Sequence, residues 1–162
     1  MDHTNIPIAE VMTKRPVSVK TGDAVDTAAQ MMLKYQVSSV LVMNKKELLG
    51  VITSDDITYK VVAEKKDPLA IKVDEIMATS LITIDPMSSL QDAMRKLSEN
   101  DIRQLPVISK GVLAGLITIK DVIRHEPTLV DMMVENIRFE EQQRQEEIKR
   151  YSEGAVDESL FR

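Results

Sequence analysis

The chain has 162 residues, 21 Lys plus Arg against 26 Asp plus Glu, 43% apolar residues and no cysteine. That length suits one compact domain or two small halves sharing a core. The cysteine count excludes disulfides, thiolate metal sites and a cysteine nucleophile. With only His3 and His125, a multi-histidine zinc site is also excluded, and any Ser–His relay would rest on His125. Apolar runs such as Val40 to Met43 fall far short of the roughly 20 residues that span a bilayer. Met1 to Asn5 show no basic region leading into an apolar stretch, so a soluble cytoplasmic protein without a signal peptide is expected.

Charge is unevenly placed. From Glu126 onward there are ten acidic and five basic residues, while residues 1–125 carry sixteen of each. A neutral body with an acidic tail is poorly suited to a phosphate backbone, whose affinity comes from clustered Lys and Arg. Nucleic acid is demoted, and Lys14-Arg15, Lys45-Lys46 and Lys65-Lys66 read as solvated doublets.

The chain repeats at a shift of 65: residues 8–57 lie over 73–122 without a gap. Ten positions are identical, among them Met12/Met77, Gly50/Gly115, Thr53/Thr118 and Asp56/Asp121, and many others exchange one aliphatic for another. A unit this small cannot bury its own apolar face, so two copies are expected to pack together.

In chain order, Pro16–Val19 reads as a short strand. Asp23 is placed to cap a helix running to Tyr35, with Val25, Ala28, Ala29, Met32 and Leu33 at helical spacing. Val40–Met43 is a buried strand, Asn44-Lys45-Lys46 a turn, Leu48–Thr53 a strand and Ser54-Asp55-Asp56 a switch to helix. After the linker Lys65–Pro68 the second copy repeats the order. Leu81–Ile84 is its first strand, Ser88 caps a helix to Asn100, and Leu105–Ile108 and Val112–Thr118 are strands. Ile119-Lys120-Asp121 then turns into helix. Past Pro127, the positions of Leu129, Val130, Met133, Val134 and Ile137 form an apolar stripe. From Glu140 to Arg150 only Ile148 is aliphatic, and Glu140/Arg144 and Glu146/Arg150 are favourable i,i+4 pairs. Tyr151 to Arg162 reads as frayed. The helix from Pro127 is a candidate for oligomerisation or partner contact.

The densest chemistry sits in Gly50-Val51-Ile52-Thr53-Ser54-Asp55-Asp56 and its echo Gly115 to Asp121. A Thr at a strand end, with Asp three residues on, stands where a helix begins. That helix start suits a phosphate, and an Asp can accept from two ribose hydroxyls. The plainer reading is a capping box that satisfies only backbone amides. Two copies at one register leave both readings open. Arg103 is either a phosphate clamp near a cleft or an edge charge that snorkels to water. Ser38 and Leu41 stand where the second copy has Arg103 and Pro106, so the halves should not offer equivalent sites. His125, one turn past Asp121, reads as a helix-end cation or a surface residue. Ten methionines suggest an adaptable core, and no nucleophile with a positioned base is visible, so no enzyme is expected.

These residues resemble a tandem pair of CBS (cystathionine β-synthase) domains, a Bateman module. The resemblance is carried by Val11-Met12-Thr13 with Pro16 to Val19, by Ile76-Met77 with Ile82 to Ile84, by Leu105-Pro106-Val107 and by the two Gly-x-x-Thr-x-x-Asp junctions. It implies an α+β fold: two β-α-β-β-α units related by a pseudo-twofold axis, plus a C-terminal helical extension, divided as 8–66, 67–126 and 127–162. It implies a stand-alone regulatory sensor that binds AMP, ADP, ATP or S-adenosylmethionine in a cleft between the repeats. Asp56 and Asp121 would hold ribose, with Thr53 and Thr118 near ribose or phosphate. Val17 and Ile82 would flank adenine, and Arg103, with Lys120 or Lys14, would meet phosphate; Ser38 and Pro106 join the same set. A homodimer through the repeats and a separate effector protein are implied as partners. The alternatives are a ligand-free interaction module and, more remotely, a nucleic-acid-associated regulator.

Overall fold

The structure, a computed structural model, describes residues 6–154, with side chains described at only part of the last helix. A short helix α1 (Ile8–Val11) leads into β1 (Ser18–Lys20), α2 (Val25–Tyr35), β2 (Ser39–Asn44), β3 (Glu47–Thr53) and α3 (Ser54–Ile57). A single π-helical turn, Thr58–Val62, extends α3. The second copy runs through α4 (Val73–Ile76), α5 (Leu90–Glu99), β4 (Gln104–Ser109), β5 (Val112–Thr118) and α6 (Ile119–His125). A 3-10 turn, Pro127–Leu129, then opens α7 (Val130–Gly154). No helix among the described residues is long and apolar enough to cross a membrane. The stripe expected at Val130, Met133 and Ile137 lies outside the described side chains; of its other members, Leu129 is buried and Val134 half-buried.

In the first copy β1 pairs parallel with β2, and β2 antiparallel with β3. The central strand β2 is buried along Val40, Leu41 and Val42, as a strand covered on both faces should be. The second copy departs from the expected strand at Leu81–Ile84. There only a single parallel bridge, Ile84 to Val107, remains. Two prolines remove the rungs on either side of it. In the first copy the Leu41 amide donates to the Val17 carbonyl and the Thr21 amide to the Met43 carbonyl, each at 3.0 Å; the matching positions are Pro106 and Pro86, which have no N–H to give. No hydrogen bond to the Ile82 carbonyl is found among the described residues.

Two helix starts also fall one residue later than the sequence suggests. The N-caps are Ala24 and Ser89, not Asp23 and Ser88. Asp23 instead closes its own turn by accepting from the Lys20 amide at 2.8 Å. Ser89 forms a full capping box with Asp92; Ala24 has no side chain for that job.

The copies exchange their leading segments. The Thr13 and Leu116 amides each donate to the other's carbonyl, at 2.9 and 3.0 Å, so the first copy's lead-in joins the second copy's sheet. Val51 and Ala78 do the same in the opposite sense, at 3.1 and 2.9 Å. The cores follow suit: Ile8, fully buried, packs with Leu90, Leu97, Leu105 and Ile117 of the second copy. Val73 and Ile76 pack with Val25, Val40 and Ile52 of the first. Each half thus completes the other's apolar core, the packing that a two-fold repeat demands. Near the axis relating them, buried Ser39 donates to Gln104, its own counterpart at the 65-residue shift.

Candidate functional site

Both Thr-x-x-Asp junctions are capping boxes. At the first, the Thr53 amide and hydroxyl donate to Asp56 Oδ2 at 2.9 and 2.8 Å, and the Asp56 amide donates back to Thr53 Oγ1 at 3.2 Å. At the second, Thr118 and Asp121 repeat these bonds at 2.9, 2.7 and 3.3 Å. The difference lies in the other carboxylate oxygen. Asp56 Oδ1 pairs with the Lys60 ammonium at 2.7 Å, which also donates to the Ile76 carbonyl at 2.8 Å. Burial pushes the Asp56 pKa up, but the hydrogen bonds from Lys60 and Thr53 outweigh it, and the net shift is downward. Position 125 carries His where position 60 carries Lys, and its Nδ1 lies 2.9 Å from the Asp121 carbonyl at the end of α6. That is the helix-end placement expected of His125.

A cavity of about 270 Å³ opens between the two copies at the first junction. Its first-copy wall is Ser38, Val51 and the run Thr53 to Asp56; its second-copy wall includes Ala78, Ile82, Asp101, Arg103 and Pro106. Six of the expected site residues therefore meet here: Ser38, Thr53, Asp56, Ile82, Arg103 and Pro106. Arg103 reaches across the copies to pair with Asp55, Nη2 to Oδ2 at 2.9 Å, so it is an exposed charge and a cavity-wall residue at once. Lys14, Val17, Thr118, Lys120 and Asp121 do not line this cavity. They stand, at the 65-residue shift, where Thr79, Ile82, Thr53, Asp55 and Asp56 stand in the other half.

Two charged wall residues, Asp55 and Asp101, are not among the site residues expected from the sequence. Asp55 looked like one charge in a polar turn, and only its register against Lys120 hinted that the halves differ there in sign. Asp101 sits in a left-handed backbone conformation, φ 49°, just before β4, a position that carries no sequence pattern of its own. The unpartnered Ile82 carbonyl was also missed. Its signal was available in the Leu41/Pro106 mismatch, because a proline beside a strand removes a donor its neighbour needs.

The CBS domain family model matches residues 8–63 and 73–127. The chain belongs to the CBS domain family. A relative, the uncharacterized protein MK0525 of Methanopyrus kandleri, is 30% identical over 144 residues, covering 85% of this chain and 72% of its own. The crystal structure of an uncharacterized conserved protein from Pyrococcus horikoshii superposes with a TM-score of 0.69 at 29% identity, across 76% of this chain and 93% of that one. The CBS domain pair of protein MJ0100, solved with 5′-methylthioadenosine and S-adenosyl-L-methionine, superposes with a TM-score of 0.66 at 24% identity, across 74% and 94%. The tandem pair, the α+β architecture and the pseudo-symmetric packing are thus those of a CBS module.

Three carboxylates in this CBS pair sit below the ordinary aspartate pKa of 3.8. They are Asp56, Asp74 (bonded to the Thr21 hydroxyl and to the Gly22 amide at 2.6 Å) and Asp92 (bonded to Ser89). A lowered native pKa contributes stability that is complete above the unfolded value and is lost as pH falls through the native one. The urea midpoint should therefore hold steady down to about pH 5 and fall steeply below 3.8. Asp74→Asn, which removes the carboxylate joining α4 to the Thr21–Gly22 turn of the other copy, should flatten that fall; an unchanged profile would contradict the assignment.

Proposed function

We propose that this CBS pair is a non-enzymatic sensor that binds an adenosine-type ligand of low negative charge in the cavity between its copies. The observation that carries this reading is Ile82, a residue of the cavity wall whose carbonyl Pro106 leaves without an amide partner, in a cavity whose far side is Thr53 and Asp56. A half-buried carbonyl with an unused lone pair can accept one more hydrogen bond, and the exocyclic amine of adenine is a donor that suits it. Across the cavity an ionised aspartate, with about four acceptor sites of which three are in use, can still take a ribose hydroxyl. The volume lies just under the roughly 300–1,000 Å³ usual for ligand sites, which fits a nucleoside better than a dinucleotide. Charge narrows the choice. Of the cavity's charged lining, Asp55 is paired with Arg103 and Asp56 with Lys60, which leaves Asp101 as the excess negative charge and no free cation in the lining. A nucleoside, a thionucleoside or the cationic S-adenosylmethionine meets less repulsion there than AMP, ADP or ATP.

A ligand spanning Thr53 and Asp56 on one side and Ile82 and Arg103 on the other would fix the angle between the halves. That change is what an effector protein, or a partner chain docked through the repeats, would read. Calorimetry of adenosine, 5′-methylthioadenosine, S-adenosylmethionine and ATP tests the reading. Micromolar binding of one of the first three, at least tenfold above ATP, is expected. Pro106→Ala returns an N–H to the Ile82 carbonyl and should weaken binding about tenfold, the worth of one hydrogen bond. The complete capping boxes favour one other reading, a ligand-free interaction module; a folded sample that binds none of the four ligands would establish it.

A further inference from the structure

The last helix, α7, is 25 residues long, and every residue from 141 to 150 is exposed. Helices in proteins draw most of their stability from packing an amphipathic face, so a projecting helix with a consistent seam implies something to cover it. Positions 134, 137, 141, 144, 148 and 151 alternate in steps of three and four, the spacing of a coiled-coil seam. They hold Val134, Ile137, Glu141, Arg144, Ile148 and Tyr151. Ile148, 54% exposed amid charged neighbours, falls on that line.

The two charged seam positions decide what covers it. A parallel second copy would set Glu141 against Glu141 and Arg144 against Arg144, like charges at the seam that disfavour that pairing. An antiparallel copy does the reverse. In one register it brings Glu141 opposite Arg144 of the second copy twice over, Ile137 opposite Ile148 and Val134 opposite Tyr151. A slip of one heptad in one direction opposes Val134 to Arg144 and Ile137 to Glu141; a slip in the other opposes Arg144 to Ile148 and Glu141 to Tyr151. The seam reads the same from either end only when it is centred between residues 142 and 143. We propose that α7 is a homotypic docking surface, forming an antiparallel two-helix coiled coil with α7 of a second copy of this chain. It adds to the CBS repeats an association surface whose specificity is written in Glu141 and Arg144.

Because the chain has no cysteine, introduced thiols report this contact without background. Full-length I137C mixed with full-length I148C should cross-link on mild oxidation. I148C alone should not, because in the proposed register its two copies lie about 16 Å apart along the axis, beyond the ~7 Å reach of a disulfide. E141R sets arginine against Arg144 on both sides and should raise the dissociation constant about tenfold or more, halving the light-scattering mass at micromolar concentration. The double variant E141R/R144E should restore it. Cross-linking of I148C with itself would establish a parallel pair and overturn the proposal. So would a mixture that fails to cross-link, an unchanged mass for E141R, or a double variant that stays dissociated.

Discussion

Replacing Gly50 by valine is expected to destabilise the protein by about 3 kcal/mol, the upper end of the overpacking range. For a chain of this length that is a fall of roughly 6–12 °C in melting temperature. Intrinsic preference points the other way, since valine is a favoured strand residue and glycine a poor one. Space decides the sign. A Cβ at Gly50 would lie 2.8 Å from the Ala78 carbonyl oxygen and 2.6 Å from Met77 Sδ; at Gly115 it would lie 2.7 Å from the Thr13 carbonyl oxygen and 2.7 Å from Met12 Sδ. The methionines can swing aside, but the carbonyls belong to the exchanged lead-ins, each held by a reciprocal pair of amide bonds. Gly115→Val should cost a similar amount. Gly111, whose φ of 78° is its only demand and which has nothing within 4 Å of a built Cβ, should lose only about 1 kcal/mol on substitution by alanine. Thermal melts of the three variants separate the cases, and a stabilised Gly50→Val would show that the lead-in exchange is not what the glycine permits. The consequence reaches the site: Ala78 and Val51 both line the cavity, so a displaced lead-in also removes part of its wall.

The repeat itself was legible because every apolar position had a counterpart 65 residues on, and apolar periodicity is the signal that burial writes most strongly. The element order followed, and β5 and the starts of α3 and α6 fall where the sequence places them. What the pattern lacked was partner choice. Periodicity says that Ile8 and Val73 are buried, but not that each is buried in the other copy's core. The segment Leu81–Ile84 has the side chains of a strand, but Pro106 on the neighbouring strand and Pro86 just beyond it each lack the amide that a flanking rung needs. The caps slipped by one because Asp23-Ala24 and Ser88-Ser89 each put a capping side chain at the earlier position. Within the site, Thr53, Asp56 and Arg103 were visible as chemistry. That Arg103 joins Asp56, and not Asp121, is a fact of chain crossing that no local spacing encodes.

That pairing sets up the sharper functional test. Asp56→Ala and Asp121→Ala remove the same capping carboxylate from matched helix starts, so each should lower stability by about 0.5–2 kcal/mol. Only Asp56 lines the cavity. Hydrogen bonds to a charged acceptor are worth about 1.5–3 kcal/mol, so Asp56→Ala should weaken the adenosine-type ligand by about 10- to 100-fold, while Asp121→Ala leaves it unchanged. Both variants lose the capping box, and Asp56→Ala also loses the Lys60 ion pair, so melting each variant with and without ligand separates a fall in affinity from a loss of folding. Should Asp121→Ala alone lose the ligand, binding would lie at the pseudo-symmetric junction of Thr118 and Asp121 instead. The Asp56 partner sharpens the point further. Lys60 takes one acceptor site of Oδ1 and leaves the other to a ribose hydroxyl, so ligand and ammonium share that oxygen. Lys60→Met should then leave a neutral nucleoside able to bind while destabilising α3, whose carboxylate would lose its countercharge.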